Sequence, residues 1–133
     1  MSVKAKASLG TEKYYTEVIA GENKLITDEP VDKGGGNKGF NPFEILATSL
    51  ASCTAATLRM YIDRKGWDIP MINVEVDLEN YPLTKTAIFT RMIDFGNTKI
   101  EDEWTDKIFK IADACPVHKI LTNNIEVVTK IIE

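Results

Sequence analysis

The groups in this 133-residue chain that stand out for chemistry are two cysteines, Cys53 and Cys115, and one histidine, His118. Cys53 sits in the middle of "FNPFEILATSLASCTAATLRMYIDRKGW", where no residue from Ile45 to Leu58 is charged. A cysteine there is either a small apolar filler or a thiol placed to react, since free cysteine is among the most buried residue types. Cys115 directly precedes Pro116. If a helix starts at that proline, Cys115 is its N-cap and faces free backbone N–H groups and the positive end of the dipole, a setting that lowers a thiol pKa. His118 falls in the same first turn and is able to tune or shuttle a proton. Two thiols brought together would make a nucleophile and a resolving partner. A C-x2-H pair with one distant cysteine is weak for zinc, and a Cys–His hydrolase is no better supported.

Other tempting residues have plainer roles. Glu44 stands three residues after Asn41, where a carboxylate folds back on a helix-cap amide. At about 100° per residue it points away from Cys53, about 13 Å along the axis, so it cannot touch the thiol of its own chain. "GGGNKG" (Gly34 to Gly39) contains a GxGxxG string, but the dinucleotide fingerprint needs a strand directly before it and a parallel βαβ unit around it. The segment "DKGGGNKGFNP" reads instead as a flexible loop, the one candidate mobile segment, able to cover a pocket.

The elements that must position the thiols follow from pattern. A helix over 42–65 has Asn41 as cap, Pro42 in its first position and Gly66 as terminator. Leu46, Leu50, Cys53, Thr57 and Met60 or Tyr61 fall on its most apolar stripe, and Ala47, Ala51 and Ala55 make the opposite face small and apolar, so the helix should be covered on both sides. Three short β-type runs precede it, with "AGEN" as a hairpin turn. "INVEVDLE" and "TAIFTRMIDF" form a second hairpin through "NYPLTK". A helix over about 99–113 is suggested by Thr98 and Glu101 as a capping box and by Ile100, Trp104, Ile108 and Ile111 at helical spacing. "CPVHKILT" reads as a short third helix and "NIEVVTKII" as a closing strand. The order β-β-β-α-β-β-α-α-β with antiparallel hairpins predicts a single α+β domain. A long apolar helix in so small a chain predicts a homodimer.

Composition narrows the function classes. Lys+Arg 16 against Asp+Glu 20 gives a net charge of -4, with no basic run, which argues against nucleic acid as a partner. The N-terminus lacks the apolar stretch of a signal peptide, and the uncharged part of the central helix is shorter than the ~20 residues that span a bilayer. The expectation is a cytoplasmic protein with no membrane partner. Two cysteines without a CxxC do not suit a disulfide-stapled secreted domain.

The strings "NPFEILATSLASCTAATLRMYIDRKGW" and "DACPVHKIL", with their separation and β-rich flanks, resemble the OsmC/Ohr family of thiol peroxidases. The resemblance spans nearly the whole chain. It implies an OsmC-like α+β fold, an intertwined homodimer with active sites at its interface, and two-cysteine reduction of organic hydroperoxides. Cys53 would attack the peroxide and Cys115 would resolve the sulfenic acid. No bound cofactor or metal is implied, only an external dithiol reductant of lipoyl or thioredoxin type. Two departures stand out. Phe43 holds the place after N-P where the well-studied peroxidases have glutamate, with Glu44 one residue on. The chain also has no arginine before Arg59 to match the N-terminal arginine that steadies the reactive thiolate, which leaves Lys33 or Lys38 as substitutes. Environment alone would favour Cys115 as the nucleophile, because an apolar stripe raises a thiol pKa while a helix start lowers it. The alternative function is a non-catalytic or redox-sensing module on the same fold.

Overall fold

The structure, a computed structural model, describes residues 1–132. It divides into two compact units, Met1–Leu46 and Ala47–Glu133, with the central helix continuous from one into the other.

The first unit is a three-stranded antiparallel sheet in the order β1-β2-β3, with β1 at Ala5–Leu9, β2 at Thr16–Ala20 and β3 at Asn23–Thr27. The "AGEN" turn closes the expected hairpin: Ala20 pairs with Asn23, and Gly21 takes φ 62°, a left-handed value that glycine adopts without penalty. The glycine-rich segment differs from expectation, because it is tied down at several points. Asp28, 3% exposed, accepts N–H hydrogen bonds from Tyr14 (3.2 Å), Glu29 (2.8 Å), Gly36 (3.3 Å) and Lys38 (3.2 Å). Val31–Lys33 forms a 3-10 turn, and Gly35 and Gly39 pass so close to the backbone of Glu29 and Ile26 that a Cβ would collide. The hidden cause is Asp28, a carboxylate whose role as a loop organiser leaves no periodic trace in sequence.

Burial pushes the Asp28 carboxyl up, but hydrogen bonds from Lys38, Glu29, Tyr14 and Gly36 outweigh that and hold it below the ordinary carboxylate range. The sign follows. A lowered folded-state pKa stabilises above the ordinary carboxyl range and loses that contribution as pH falls through the lowered value. Asp28→Ala should therefore open the loop to proteolysis at neutral pH, while the wild-type loop should open only at strongly acid pH. Limited proteolysis across a pH series checks both.

The helix α1, Pro42–Lys65, has the anticipated ends. The Glu44 carboxylate accepts the Asn41 N–H (2.8 Å), and the Asn41 side chain accepts the Glu44 N–H (2.9 Å), a reciprocal capping box. At the other end Gly66 at φ 69° lets the Trp67 N–H reach back to the Ile62 carbonyl (3.2 Å). By length and composition α1 is apolar enough to cross a bilayer, a longer reach than its uncharged stretch suggests. Its last two turns, however, carry Arg59, Asp63, Arg64 and Lys65.

In the second unit, β4 (Asn73–Tyr81) and β5 (Thr86–Asp94) pair antiparallel through a 3-10 turn at Pro82–Thr84. The core gathers Leu58, Ile62, Ile69, Phe95 and Ile108, flanked by Trp67 stacked on Trp104 at 4.3 Å. The buried row of α1 is Leu50, Thr54, Leu58 and Ile62, so that, of the stripe read through Leu46, Leu50, Cys53, Thr57 and Met60 or Tyr61, Leu50 alone lies on it. Leu46 and Met60 are exposed and Cys53 is half-buried. A threonine can occupy the buried row because its hydroxyl donates to the Leu50 carbonyl at 2.7 Å, so no polar group is left unpaired. A count of apolar residues misses that possibility.

The second helix, α2, is Asp102–Asp113, starting later than the capping-box reading. Thr98 is spent in a turn, its N–H bonded to Phe95, and the first helical turn carries Asp102 and Glu103 at the positive dipole end. The third helix, α3, spans Pro116–Thr122 with Cys115 as N-cap, as expected. The closing strand is not formed. Residues 124–132 have no regular structure, and their apolar side chains are exposed, Val127 by 84% and Ile131 by 90%. Strand-type residues make a strand only against a free sheet edge, and this segment has none paired to it in the chain.

Candidate active site

The two cysteines, 62 positions apart, meet within the second unit. Cys53 comes from the middle of α1 and Cys115 from the turn between α2 and α3; both are free thiols. Cys115 is completely buried, whereas Cys53 keeps partial exposure. The Cys115 sulfur faces the backbone N–H groups of Val117 and His118 without closing a formal capping bond.

The two sulfurs perturb each other in opposite directions. Burial pushes the Cys53 thiol up, and its hydrogen bond to Cys115 adds to this. Burial also pushes Cys115 up, but there the hydrogen bonds from the Cys53 thiol, the His118 N–H, the Thr54 hydroxyl and the Val117 N–H win, and the pKa falls below the ordinary thiol value. The first negative charge on the pair therefore rests on Cys115, with the remaining proton on Cys53. Thiolate absorbance followed against pH should rise in two separated steps, one below and one above the ordinary thiol range. A single step at the ordinary value would contradict this.

Around the thiols lies a polar cluster centred on Arg91 of β5, whose side chain is only 12% exposed. Its Nη1 donates to the Thr54 hydroxyl oxygen at 3.1 Å, and its Nη2 to Asp113 Oδ1 at 3.0 Å. The same Nη2 lies 3.3 Å from His118 Nδ1. An arginine only donates, so Nδ1 accepts and His118 carries its hydrogen on Nε2. Sequence reading passed over Arg91. The available signal was its phase: it falls in step with Phe89 and Ile93, the half-buried face of β5, where an unpaired charge would be costly.

Of the supporting residues anticipated from sequence, His118 stands in this cluster, while Glu44 and Lys38 have their partners within the first unit. Glu44 is engaged in its cap with Asn41. Lys38 pairs with Glu12 at 3.3 Å and sits 5.8 Å from the Tyr15 ring, all in the first unit. Among the described residues, no three of the His, Cys, Asp and Glu side chains converge as a metal-holding group. A mostly apolar cavity of about 520 Å³ adjoins the cluster, lined by Leu50, Ile88, Phe89 and Leu121 with Arg91 and His118 on its wall. Neither sulfur lines it.

An α+β chain with antiparallel sheets, three helices and a cysteine pair joining the long helix to a C-P turn belongs to the OsmC-like protein family, whose model matches residues 35–130. Among solved structures, it is similar to a candidate osmotic-stress-induced and detoxification-response protein from Psychrobacter arcticus 273-4, with TM-score 0.75, 28% identity, and 87% of this chain and 85% of that one covered. It is also similar in fold to an OsmC-like protein from Mycoplasma pneumoniae (TM-score 0.70, 22% identity, 91% and 87% covered). A third fold relative is the organic hydroperoxide resistance protein OhrB of Bacillus subtilis (TM-score 0.65, 18% identity, 93% of each chain covered). Among curated proteins, none matches the sequence closely enough to count as a relative.

Proposed function

We propose that the chain is a thiol-dependent peroxidase that reduces organic hydroperoxides with Cys53 and Cys115. The observation that carries this is the division of labour in the thiol pair: one sulfur is reachable, the other is buried and is the first of the two to ionise, and they share a hydrogen bond. The hydroperoxide-resistance names of fold relatives point the same way.

In the singly ionised pair Cys53 is the thiol and Cys115 the thiolate. Proton transfer along their hydrogen bond makes Cys53 the thiolate and Cys115 the thiol. The Cys53 sulfur then attacks the terminal peroxide oxygen: an S–O bond forms, the O–O bond breaks, and the leaving alkoxide takes the proton from Cys115 and departs as the alcohol. Cys115, again a thiolate, attacks the Cys53 sulfenic acid, closing an S–S bond and expelling hydroxide, which leaves as water after taking a proton from solvent. Two electrons pass from the thiols to the peroxide, and an external dithiol of lipoyl or thioredoxin type returns them. The low pKa of Cys115 thus serves the second step, and its complete burial keeps it from meeting peroxide first.

A homodimer forms part of the proposal. Phe109, Ile120 and the apolar residues of 124–132 are exposed in the single chain, more than a lone small domain ordinarily leaves bare. Sedimentation should give twice 14.9 kDa at micromolar concentration, and a stable monomer would sink this part. The reaction itself is tested by thiol counting. One equivalent of cumene hydroperoxide should convert two free thiols per chain into one intrachain disulfide. Thiols that remain free would favour the non-catalytic module.

A further inference from the structure

One guanidinium touches both elements that carry the cysteines. Arg91 Nη1 holds Thr54, the residue next to Cys53 on α1, at 3.1 Å. Its Nη2 holds Asp113 at 3.0 Å and His118 at 3.3 Å, and these two residues bracket Cys115 on either side of the α2–α3 turn. We propose that Arg91 is a positioning residue for the thiol pair, a rigid fork that fixes the Cys115 turn against α1 so that the two sulfurs stand within bonding reach of each other.

The chemistry of the fork supports this role. Guanidinium is planar, with donors at fixed angles, so a contact on each of two nitrogens fixes the direction of its partners, not merely their distance. The α1 leg is rigid too, because the Thr54 hydroxyl that accepts from Arg91 donates its own hydrogen to the Leu50 carbonyl at 2.7 Å. On the other side, Asp113 is the last residue of α2 and His118 lies in the first turn of α3, so Nη2 spans the connection where Cys115 sits. Besides the fork, the first turn of α3 meets α1 where the sulfurs themselves do so, Cys53 facing the Val117 N–H and Cys115 the Thr54 hydroxyl, and an exposed tail follows the short helix. Closure of an S–S bond demands Cβ atoms within about 3.5–4.5 Å, so freedom in that turn directly dilutes the effective concentration of one sulfur at the other.

This proposal rests on the two-thiol reading only in taking Cys53 and Cys115 as a disulfide-forming pair, and its test uses no peroxide. The purified protein is equilibrated with mixtures of reduced and oxidised dithiothreitol, and the fraction of chains with the intrachain disulfide is read by mass after acid quench. Arg91→Gln should lower the equilibrium constant for disulfide closure about tenfold. Arg91→Lys, a single point donor, should recover only part of it. Circular dichroism melts run alongside, because a merely structural role would lower the melting temperature and leave the closure constant of the folded protein unchanged. If Arg91→Gln does not fold, the exposed Asp113 offers a gentler cut: Asp113→Asn should weaken closure several-fold in a folded protein. A folded Arg91→Gln or Asp113→Asn protein that closes its disulfide as readily as the wild type would overturn the proposal, as would a wild-type pair that never closes. A protein that closes in an Arg91-dependent way yet ignores peroxide would uphold the proposal and refute the peroxidase.

Discussion

A Cys115→Ser protein treated with excess organic hydroperoxide should consume about one equivalent, carry a sulfenic acid on Cys53, and then pass more slowly still to sulfinic acid. The reason is the order of events. Cys53 is the sulfur that peroxide can reach, so S–O bond formation survives the change, but no thiolate remains beside it to displace hydroxide. Serine keeps a hydroxyl near the Cys53 sulfur but cannot form the S–S bond. The intermediate thus persists long enough to react with a sulfenic-acid probe, and the labelled peptide contains residue 53. The first step should also slow, since the serine cannot act as the base that draws the proton from Cys53. A label on Cys115 in the wild-type protein before any on Cys53 would reverse the roles, and the helix-start argument would then decide the nucleophile.

The largest stability effect should come from Leu58→Ala. Leu58 has no exposed surface, lies four residues after Thr54 on the buried row of α1, and packs with Ile62, Ile69, Phe95 and Ile108. Removing three carbons from so enclosed a site leaves a cavity that its neighbours fill only in part, at a cost of about 2–5 kcal/mol. For a protein of ordinary marginal stability that is a large share of the total. Chemical denaturation should show the midpoint falling with the slope unchanged. The exposed Met60, two positions further along the same helix, serves as a control whose replacement by alanine should cost a small fraction of that.

The features of this fold that were legible in the sequence are those written locally. Asn41, Pro42, Glu44 and Gly66 bound α1 because cap chemistry depends on residues a few positions apart, and the same holds for the hairpin at Ala20–Asn23 and for Cys115 before Pro116. The family showed in two strings whose spacing is itself distinctive. What escaped were features created by contact between distant segments. Arg91 is 37 positions from Thr54 and 27 from His118, and nothing local to β5 announces that its guanidinium joins them. Thr54 is a polar residue on the buried row, and its hydroxyl is satisfied within its own helix. Asp28 was hidden for the same reason, its backbone partners lying up to 14 positions away. The missing closing strand is the opposite case. Residues 124–132 have strand-type side chains, but strand formation depends on an edge to join, and a local pattern cannot supply one.

The counterpart of the family's N-terminal arginine is a similar case. Sequence order points to Lys33 and Lys38 because they precede the helix; within the second unit, the guanidinium beside the thiols' neighbours is that of Arg91. A chain that lacks the usual arginine can therefore still have a guanidinium in the thiol environment, from a strand that follows the helix. The central claim, catalytic reduction of an organic hydroperoxide through Cys53, is tested most directly by steady-state consumption of cumene hydroperoxide in the presence of dihydrolipoamide, with wild-type and Cys53→Ser proteins compared at equal concentration. Many equivalents of peroxide consumed per wild-type chain, with Cys53→Ser at the uncatalysed background, is the expected result; a wild-type rate at background, or undiminished turnover by Cys53→Ser, would contradict the account.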